Sequence, residues 1–104
     1  MDELITKKHL RTKVEYLCGR TIYGTTNCKA TGQYRMSIPW HWGVADGRFA
    51  DIDPVVWRIC DLERDAFIGQ LEKTFPQLKG QISVRYHIGS GIYLSLRVNN
   101  AVLA

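Results

Sequence analysis

Residues 82–98, ISVRYHIGSGIYLSLRV, alternate apolar and polar side chains on both sides of a Gly-Ser-Gly tripeptide. Such alternation is typical of two strands that each bury one face, and the glycines are typical of the turn between them. If both apolar sets lie on one face, Ile88 pairs with Ile92 and a three-residue loop remains, in which Gly91 can take the left-handed conformation. The stretch predicts a C-terminal β-hairpin over about residues 81–98.

Upstream of the hairpin, Asp53-Pro54 predicts the start of a long helix over about residues 54–75. Asp can cap free backbone N–H groups, and Pro at the first helical position loses no hydrogen bond. A broad apolar face is formed by Val56, Trp57, Cys60, Phe67, Leu71 and Phe75, and is extended by Val55, Ile59, Leu62 and Ala66. We therefore expect the helix to be buried on most of its circumference, with Trp57 in the core.

A second helix is predicted at the N-terminus, over about residues 2–18. Acidic residues stand at its start, Leu10, Val14 and Leu17 fall on one face, and Gly19 is well placed to end it. The alternation of Val14, Tyr16 and Cys18 leaves a strand from residue 12 to residue 18 as the alternative.

Two early strands are predicted at Arg20–Tyr23 and Gln33–Ile38, with a polar loop over residues 24–32 between them. Together with the hairpin they predict an α+β fold in one domain, residues 1–104. A small antiparallel sheet would contain the early strands and the C-terminal hairpin. The helix of residues 54–75 would cover its apolar face, with the N-terminal helix packed beside it.

The composition is that of a folded protein, with 45% hydrophobic and 23% charged residues in 104. The short apolar runs and the start of the sequence predict neither a membrane span nor a signal peptide, so we expect a cytoplasmic protein.

The three cysteines, Cys18, Cys28 and Cys60, are widely spaced and odd in number, which favours reduced thiols over a disulfide framework. A zinc site with His41 would lack a closely spaced cysteine pair. We expect no cofactor and no metal.

The formal charge of +4 lies entirely in residues 1–36, which hold seven basic and three acidic side chains. A local excess of this kind attracts an anionic partner, either nucleic acid or an acidic protein surface. The alternative is that these charges only solvate the outside of a helix. The candidate binding residues are Lys7, Lys8, Arg11, Lys13 and Arg20.

The segment Pro39-Trp40-His41-Trp42-Gly43 is a second candidate, in a predicted loop from Pro39 to Ile52. In an extended backbone Trp40 and Trp42 would face one way and His41 the other. Exposed aromatic rings beside basic charge suit single-stranded nucleic acid, and they equally suit a protein-interface hot spot. The alternative is that the indoles seal the edge of the core.

The polar face of the hairpin is a third candidate, because it brings together Arg85, His87, Tyr93 and Arg97. These side chains could hold a phosphate, and they could also cleave RNA without metal by general acid–base chemistry. The alternative is an ordinary solvated face of an antiparallel sheet.

The sequence carries no phosphate-binding P-loop, no dinucleotide fingerprint and no nucleophile with an identifiable base, so we interpret it as a non-enzyme. It also lacks the signatures of the familiar nucleic-acid-binding modules.

Our leading hypothesis is a small basic protein that docks on nucleic acid or on a nucleoprotein enzyme complex that processes it. One alternative is an inhibitor or adaptor of the mobile-element (phage-like) type that anchors to a protein through the Trp-His-Trp loop. The other is a small metal-independent RNase. The oligomeric state stays open.

Overall fold

The computed structural model describes residues 3–42 and 51–104. Within these two segments the chain forms two α-helices, four strands and two short 3-10 turns, which confirms the predicted α+β class. In chain order they are α1 (Lys7–Cys18), β1 (Gly24–Cys28), β2 (Gln33–His41), α2 (Pro54–Thr74), a turn at Pro76–Leu78, β3 (Ile82–Ile88), β4 (Ile92–Asn99) and a turn at Asn100–Val102.

The strands form one antiparallel sheet in the order β1-β2-β4-β3. Since β4 is antiparallel to both of its neighbours, β2 and β3 are parallel to each other, and α2 makes the crossover that joins them. Apolar residues of both helices, including Leu10 of α1 and Leu71 of α2, share one core with the apolar face of the sheet. The molecule therefore has a helical layer on one side of the sheet and a polar sheet face on the other.

The predicted hairpin is confirmed, with Ile88 paired with Ile92 across the Gly-Ser-Gly loop. Gly91 does not take the predicted left-handed conformation, which occurs instead at Gly19, Gly32 and Gly80. A Cβ atom on Gly91 would lie 2.7 Å from the backbone oxygen of His41. Glycine is needed here because β2 passes too close for any side chain.

Helix α2 begins as predicted, since the Asp53 side chain accepts a hydrogen bond from the Val55 N–H at 2.8 Å. The prediction that most of its circumference is buried is wrong. Val55, Ile59 and Leu62 are 63%, 42% and 59% exposed, respectively. The reason is that the sheet covers only one side of a helix in a two-layer fold, and α1 contacts one flank. Trp57 is half-buried against Tyr86.

Helix α1 ends at Cys18 with Gly19 as its left-handed cap, as predicted, but it begins at Lys7. Thr6 caps it by accepting a hydrogen bond from the His9 N–H at 3.1 Å. The preceding chain is extended because Ile5 pairs with Leu103 in a parallel bridge. The predicted start at Asp2 lies outside the described residues.

The prediction of a strand at Arg20–Tyr23 and a loop over residues 24–32 is wrong, because β1 is Gly24–Cys28. This strand lies at the sheet edge with most of its side chains exposed, so it needs no apolar residues. Its register is set by the tight turn that ends at Gly32, where φ is 66°. Strand β2 carries the predicted burial of Tyr34, Met36 and Ile38, and it continues to His41.

Candidate nucleic-acid interface

Three of the rows of side chains on the polar face of the sheet form the candidate site, and each runs across the strands. They are defined by the pairing register, which places Arg35 of β2 directly opposite Arg97 of β4. From β1 to β3, the rows are Thr26–Arg35–Arg97–Ser83, then Gly24–Ser37–Ser95–Arg85, then Pro39–Tyr93–His87 on the three strands that reach that far. We call this surface the open face.

A groove of about 560 Å³ runs over the open face. Its lining includes Tyr23, Thr26, Arg35, Ser37, Arg85, His87, Ser95 and Arg97. A second groove of about 300 Å³ shares Thr26, Arg35 and Arg97 with it and continues toward Cys28. None of the described residues lining these two grooves is Asp or Glu.

The three arginines of the open face lack acidic partners among residues 3–42 and 51–104. The ion pairs seen there join Arg20 with Glu63, and Arg64 with Asp61 and Asp65 on α2. They leave Arg35, Arg85 and Arg97 uncompensated on one face. Such a surface attracts anions, most strongly at low ionic strength.

Two polar atoms of this surface are buried yet make no hydrogen bond with the described part of the chain. They are the Oγ of Ser95, a residue that is 4% exposed, and the Nε of Arg97. Most buried polar groups in proteins are hydrogen-bonded, so two such atoms on neighbouring rows indicate unused binding capacity.

An aromatic cluster adjoins the arginines and is centred on Tyr93. His87 stacks on the Tyr93 ring, with centroids 5.1 Å apart and planes 10° apart. Tyr23 and Trp42 lie against the same ring at 5.7 and 5.9 Å. Tyr23 and Trp42 are 76% and 58% exposed, so rings remain accessible at this end of the groove.

His87 connects the aromatic cluster with the arginines. Its Nε2 is hydrogen-bonded to the Ser37 Oγ at 3.1 Å. Partial burial, and to a lesser extent the charge of Arg35, lower the pKa of His87 below its ordinary value. The imidazole is therefore mainly neutral at pH 7, so the positive charge of this face comes from the guanidinium groups.

The two tryptophans of the Trp-His-Trp segment lie on opposite faces of the sheet, so the prediction that they share a face is wrong. Pro39 pairs with Tyr93 and His41 with Ile92, which leaves Trp40 as the extra residue of a β-bulge. The bulge reverses the alternation of side chains. Trp40 enters the core with 3% exposure, whereas Trp42 reaches the Tyr93 ring on the open face.

The predicted loop from Pro39 to Ile52 is also wrong at its start, because Pro39–His41 belongs to β2. Pairing with β4 continues through this segment, and the bulge accommodates Pro39 and Trp40. The part of the loop over residues 43–50, which includes Gly43, lies outside the described residues. His41 is half-buried.

Three of the basic candidate residues in the N-terminal third make contacts within the protein. Arg20 is engaged in the structure, because it pairs with Glu63, donates to the Cys18 carbonyl at 3.0 Å and covers the Trp40 ring. Lys7 and Lys13 lie over the rings of Tyr34 and Tyr16, both at 5.5 Å from the centroid.

Lys8 and Arg11 line a further groove of about 300 Å³ that also contains Gly24 and Thr25 of β1. The same two β1 residues line the main groove of the open face. The exposed side of α1 and the open face therefore meet at the β1 edge. This relationship joins two surfaces that the sequence presented as separate candidates.

The site contains residues that the sequence reasoning did not single out, namely Tyr23, Arg35, Ser37 and Ser95. The alternation in β2 had placed Arg35 and Ser37 on a polar side. That alternation does not reveal the pairing of β2 with β4. The pairing brings Arg35 and Ser37 against the hairpin residues Arg85, His87, Tyr93 and Arg97.

Among the described residues, no group of three or more His, Cys, Asp or Glu side chains is arranged to hold a metal ion. Across the same residues, every helix is too short or too polar to cross a membrane.

Comparisons with protein-family models, curated proteins and solved structures found no match for this chain.

Proposed function

We propose that this protein binds single-stranded nucleic acid, or the single-stranded part of a nucleoprotein complex, through the open face and without cleaving it. The observation that carries the proposal is the set of three arginines, Arg35, Arg85 and Arg97, lining one groove without a carboxylate among its described residues. Free thiols at all three cysteines favour a reducing compartment such as the cytoplasm.

The chemistry of the two ends of the groove favours a single strand over a duplex. Guanidinium groups bind phosphate oxygens by charge-assisted, often bidentate hydrogen bonds. Exposed aromatic rings, here Tyr23 and Trp42 around Tyr93, stack on bases that are not already stacked in a helix. A duplex would offer its phosphates to the arginines but would keep its bases from these rings.

Two basic side chains of α1 lie beyond the sheet, in a groove that also contains the carboxylate of Glu15. Lys8 and Arg11 reach the β1 edge, where Gly24 and Thr25 are shared with the main groove. A flexible single strand can follow a curved path of this kind around an edge strand, whereas a stiff duplex would have to bend.

The test is fluorescence anisotropy with labelled single-stranded DNA, single-stranded RNA and duplex of equal length. We expect tighter binding of single strands than of duplex. The slope of log affinity against log salt should be about −2, since each of the three arginine–phosphate contacts contributes roughly −0.7. Arg35→Gln with Arg97→Gln should weaken binding and reduce the slope. Arg58→Gln, an exposed arginine on α2, is the matched control. Undetectable binding at low salt, or binding that salt does not weaken, would contradict the proposal.

The non-enzymatic part is tested separately by incubating the protein with total RNA in a chelator. An unchanged RNA profile supports binding without cleavage. Fragmentation that disappears in His87→Ala would instead support the metal-independent RNase, with His87 beside Ser37 as its acid–base group.

A protein-directed inhibitor or adaptor is the second candidate, and the exposed apolar strip Val55–Ile59–Leu62 on α2 favours it. These side chains lie on one helix face at spacings typical of a helix that packs against a partner. Affinity capture with and without nuclease treatment separates a protein partner from one bridged by nucleic acid. A nuclease-resistant partner that is lost on Ile59→Ser with Leu62→Ser, and retained on Trp42→Ala, would support this candidate.

A further inference from the structure

We infer that the Arg35–Arg97 cross-strand pair, together with the buried hydroxyl of Ser95, forms a phosphate-binding site on the open face. This inference rests on the proposed function and names the contact that holds the backbone of the nucleic acid. It assigns the central role to Arg35 and Ser95, neither of which belongs to the polar set recognised in the hairpin sequence.

Two like charges face each other across β2 and β4. Arg35 and Arg97 are direct partners in the β2–β4 register, and like charges directly opposite each other destabilise a sheet. Neither takes part in the ion pairs found among the described residues. An anion between the two guanidinium groups would convert this repulsion into two favourable contacts.

Hydrogen-bonding capacity is left unused at the bottom of the groove. Ser95 is 4% exposed and lines the groove, and its Oγ has no hydrogen-bond partner in the described chain. The Nε of Arg97 is buried and unpartnered in the same way. Burying a donor without a partner costs free energy, which a bound acceptor would recover.

The chemistry of these donors fits a phosphate group. A phosphate offers several oxygens around one centre, so it can accept from guanidinium groups on two strands and from a hydroxyl at the same time. Ser95 lies two residues from Arg97 on β4, a separation of roughly 7 Å, and pairs with Arg85 on β3. Arg85 can therefore approach the same group from a third strand.

The position of the site relative to the aromatic cluster sets the course of the nucleic acid. Tyr93 is on the same strand and face as Arg97, four residues away, or roughly 13 Å. A phosphate held at Arg97 thus leaves the adjoining bases free to extend along β4 toward Tyr93. We infer a strand that lies along β4, with its backbone over the arginines.

The direct test is a titration with inorganic phosphate at constant ionic strength, followed by the NMR signals of the arginine Nε–H groups. We expect saturable shifts at Arg35 and Arg97, and little change at Arg58 on α2. Ser95→Ala should weaken the phosphate affinity severalfold while the fold, checked by its Tm, is retained. Shifts at Arg35 and Arg97 no larger than those at Arg58 would overturn the inference.

A second experiment separates this inference from the proposed function. Arg97→Lys keeps the charge but loses the planar fork, and we expect it to weaken single-stranded DNA binding by about tenfold, against no change for Arg58→Lys. If wild-type protein binds phosphate at this pair but binds no oligonucleotide, the site stands and the proposed function fails. If oligonucleotide binding is unaffected by Arg97→Lys and by Ser95→Ala, the site fails and the proposed function stands.

Discussion

The indole N–H of Trp40 donates a hydrogen bond to the backbone carbonyl of Cys60 at 3.1 Å, and so ties β2 to α2. The ring also packs against Phe67 of α2, and the Arg20 guanidinium lies 4.1 Å from its centroid. Arg20 in turn pairs with Glu63 on the same helix. Two residues that the sequence offered as binding candidates thus form part of the sheet–helix interface.

Trp40 and Trp42 should differ sharply in their effects on stability. We expect Trp40→Ala to lower the free energy of unfolding by about 3–5 kcal/mol, because it removes a large buried ring. Trp42→Ala should cost about 1 kcal/mol or less, because that ring is 58% exposed, and it should weaken single-stranded DNA binding. Urea unfolding of both variants measures the difference. Equal destabilisation by the two changes would show that the bulge does not separate the rings.

Tyr86 should remain protonated well into the alkaline range. Burial, and next the hydrogen bond that its hydroxyl donates to Asp61 at 2.9 Å, raise the pKa of Tyr86. An acid whose pKa is higher in the folded state stabilises that state below its unfolded pKa, here about 10, and loses this contribution as the pH rises further. We expect Tyr86→Phe to cost about 1–2 kcal/mol at pH 7, and the gap from wild type to narrow above pH 10.

Urea unfolding at pH 7 and at several values above pH 10 measures this gap. The absorbance change of tyrosine ionisation provides an independent readout, since the component that titrates latest should disappear in Tyr86→Phe. A constant difference between the two proteins across this range would contradict the role of the Asp61 contact.

His87 reports on the charge of the open face. Its pKa is lowered by partial burial first and by Arg35 second. Because the neutral form is favoured in the folded state, the associated stability is present above the ordinary histidine pKa and is lost as the pH falls through the folded value. Arg35→Gln should raise the pKa of His87 without restoring its ordinary value, because the burial remains.

The measurement is an NMR titration of the His87 ring proton in wild type, Arg35→Gln and the control Arg58→Gln. Adding phosphate to the wild type should move the pKa of His87 in the same direction as Arg35→Gln, because a bound anion offsets the arginine charge. An unchanged pKa in Arg35→Gln would remove Arg35 from the electrostatics of the groove.

Two glycine substitutions should act in opposite directions. In Gly91→Ala the new Cβ would lie 2.7 Å from the His41 backbone oxygen and 3.1 Å from the Trp42 ring, so we expect a loss of about 1–3 kcal/mol. In Gly69→Ala, within α2, the Cβ meets nothing within 4 Å, and we expect a gain of roughly 0.5–1 kcal/mol. Thermal unfolding of the two variants provides the comparison. An unchanged Tm in Gly91→Ala would contradict the close approach of β2.

Local signals in the sequence were sufficient for the hairpin and for the start of α2. Alternation in β3 and β4 sets the face of every side chain, and the register follows because only one pairing keeps Ile88 and Ile92 together on the buried side. The Asp53 cap works through the backbone N–H of Val55, only two residues away. Both features depend on neighbours along the chain.

Strand β1 and the bulge in β2 were missed because neither depends on the properties of its own side chains. β1 is held by backbone pairing to β2 and is exposed, so its polar residues resemble a loop. At Trp40 an extra residue reverses the alternation, and that reversal follows from the pairing of Pro39 and His41 with β4.

The sequence by itself determined the α+β class, the hairpin and the polar faces of β2 and of the hairpin, since each depends on short-range periodicity and capping. Only the tertiary structure decided that Arg35 lies opposite Arg97, that Ser95 is buried beneath the groove, and that Trp40 and Trp42 lie on opposite faces of the sheet. These relationships require β4 to insert between β2 and β3. That pairing joins segments far apart in the chain through backbone N–H and C=O groups. Every residue carries both groups, except that proline lacks the N–H, so the side-chain pattern alone does not encode the pairing.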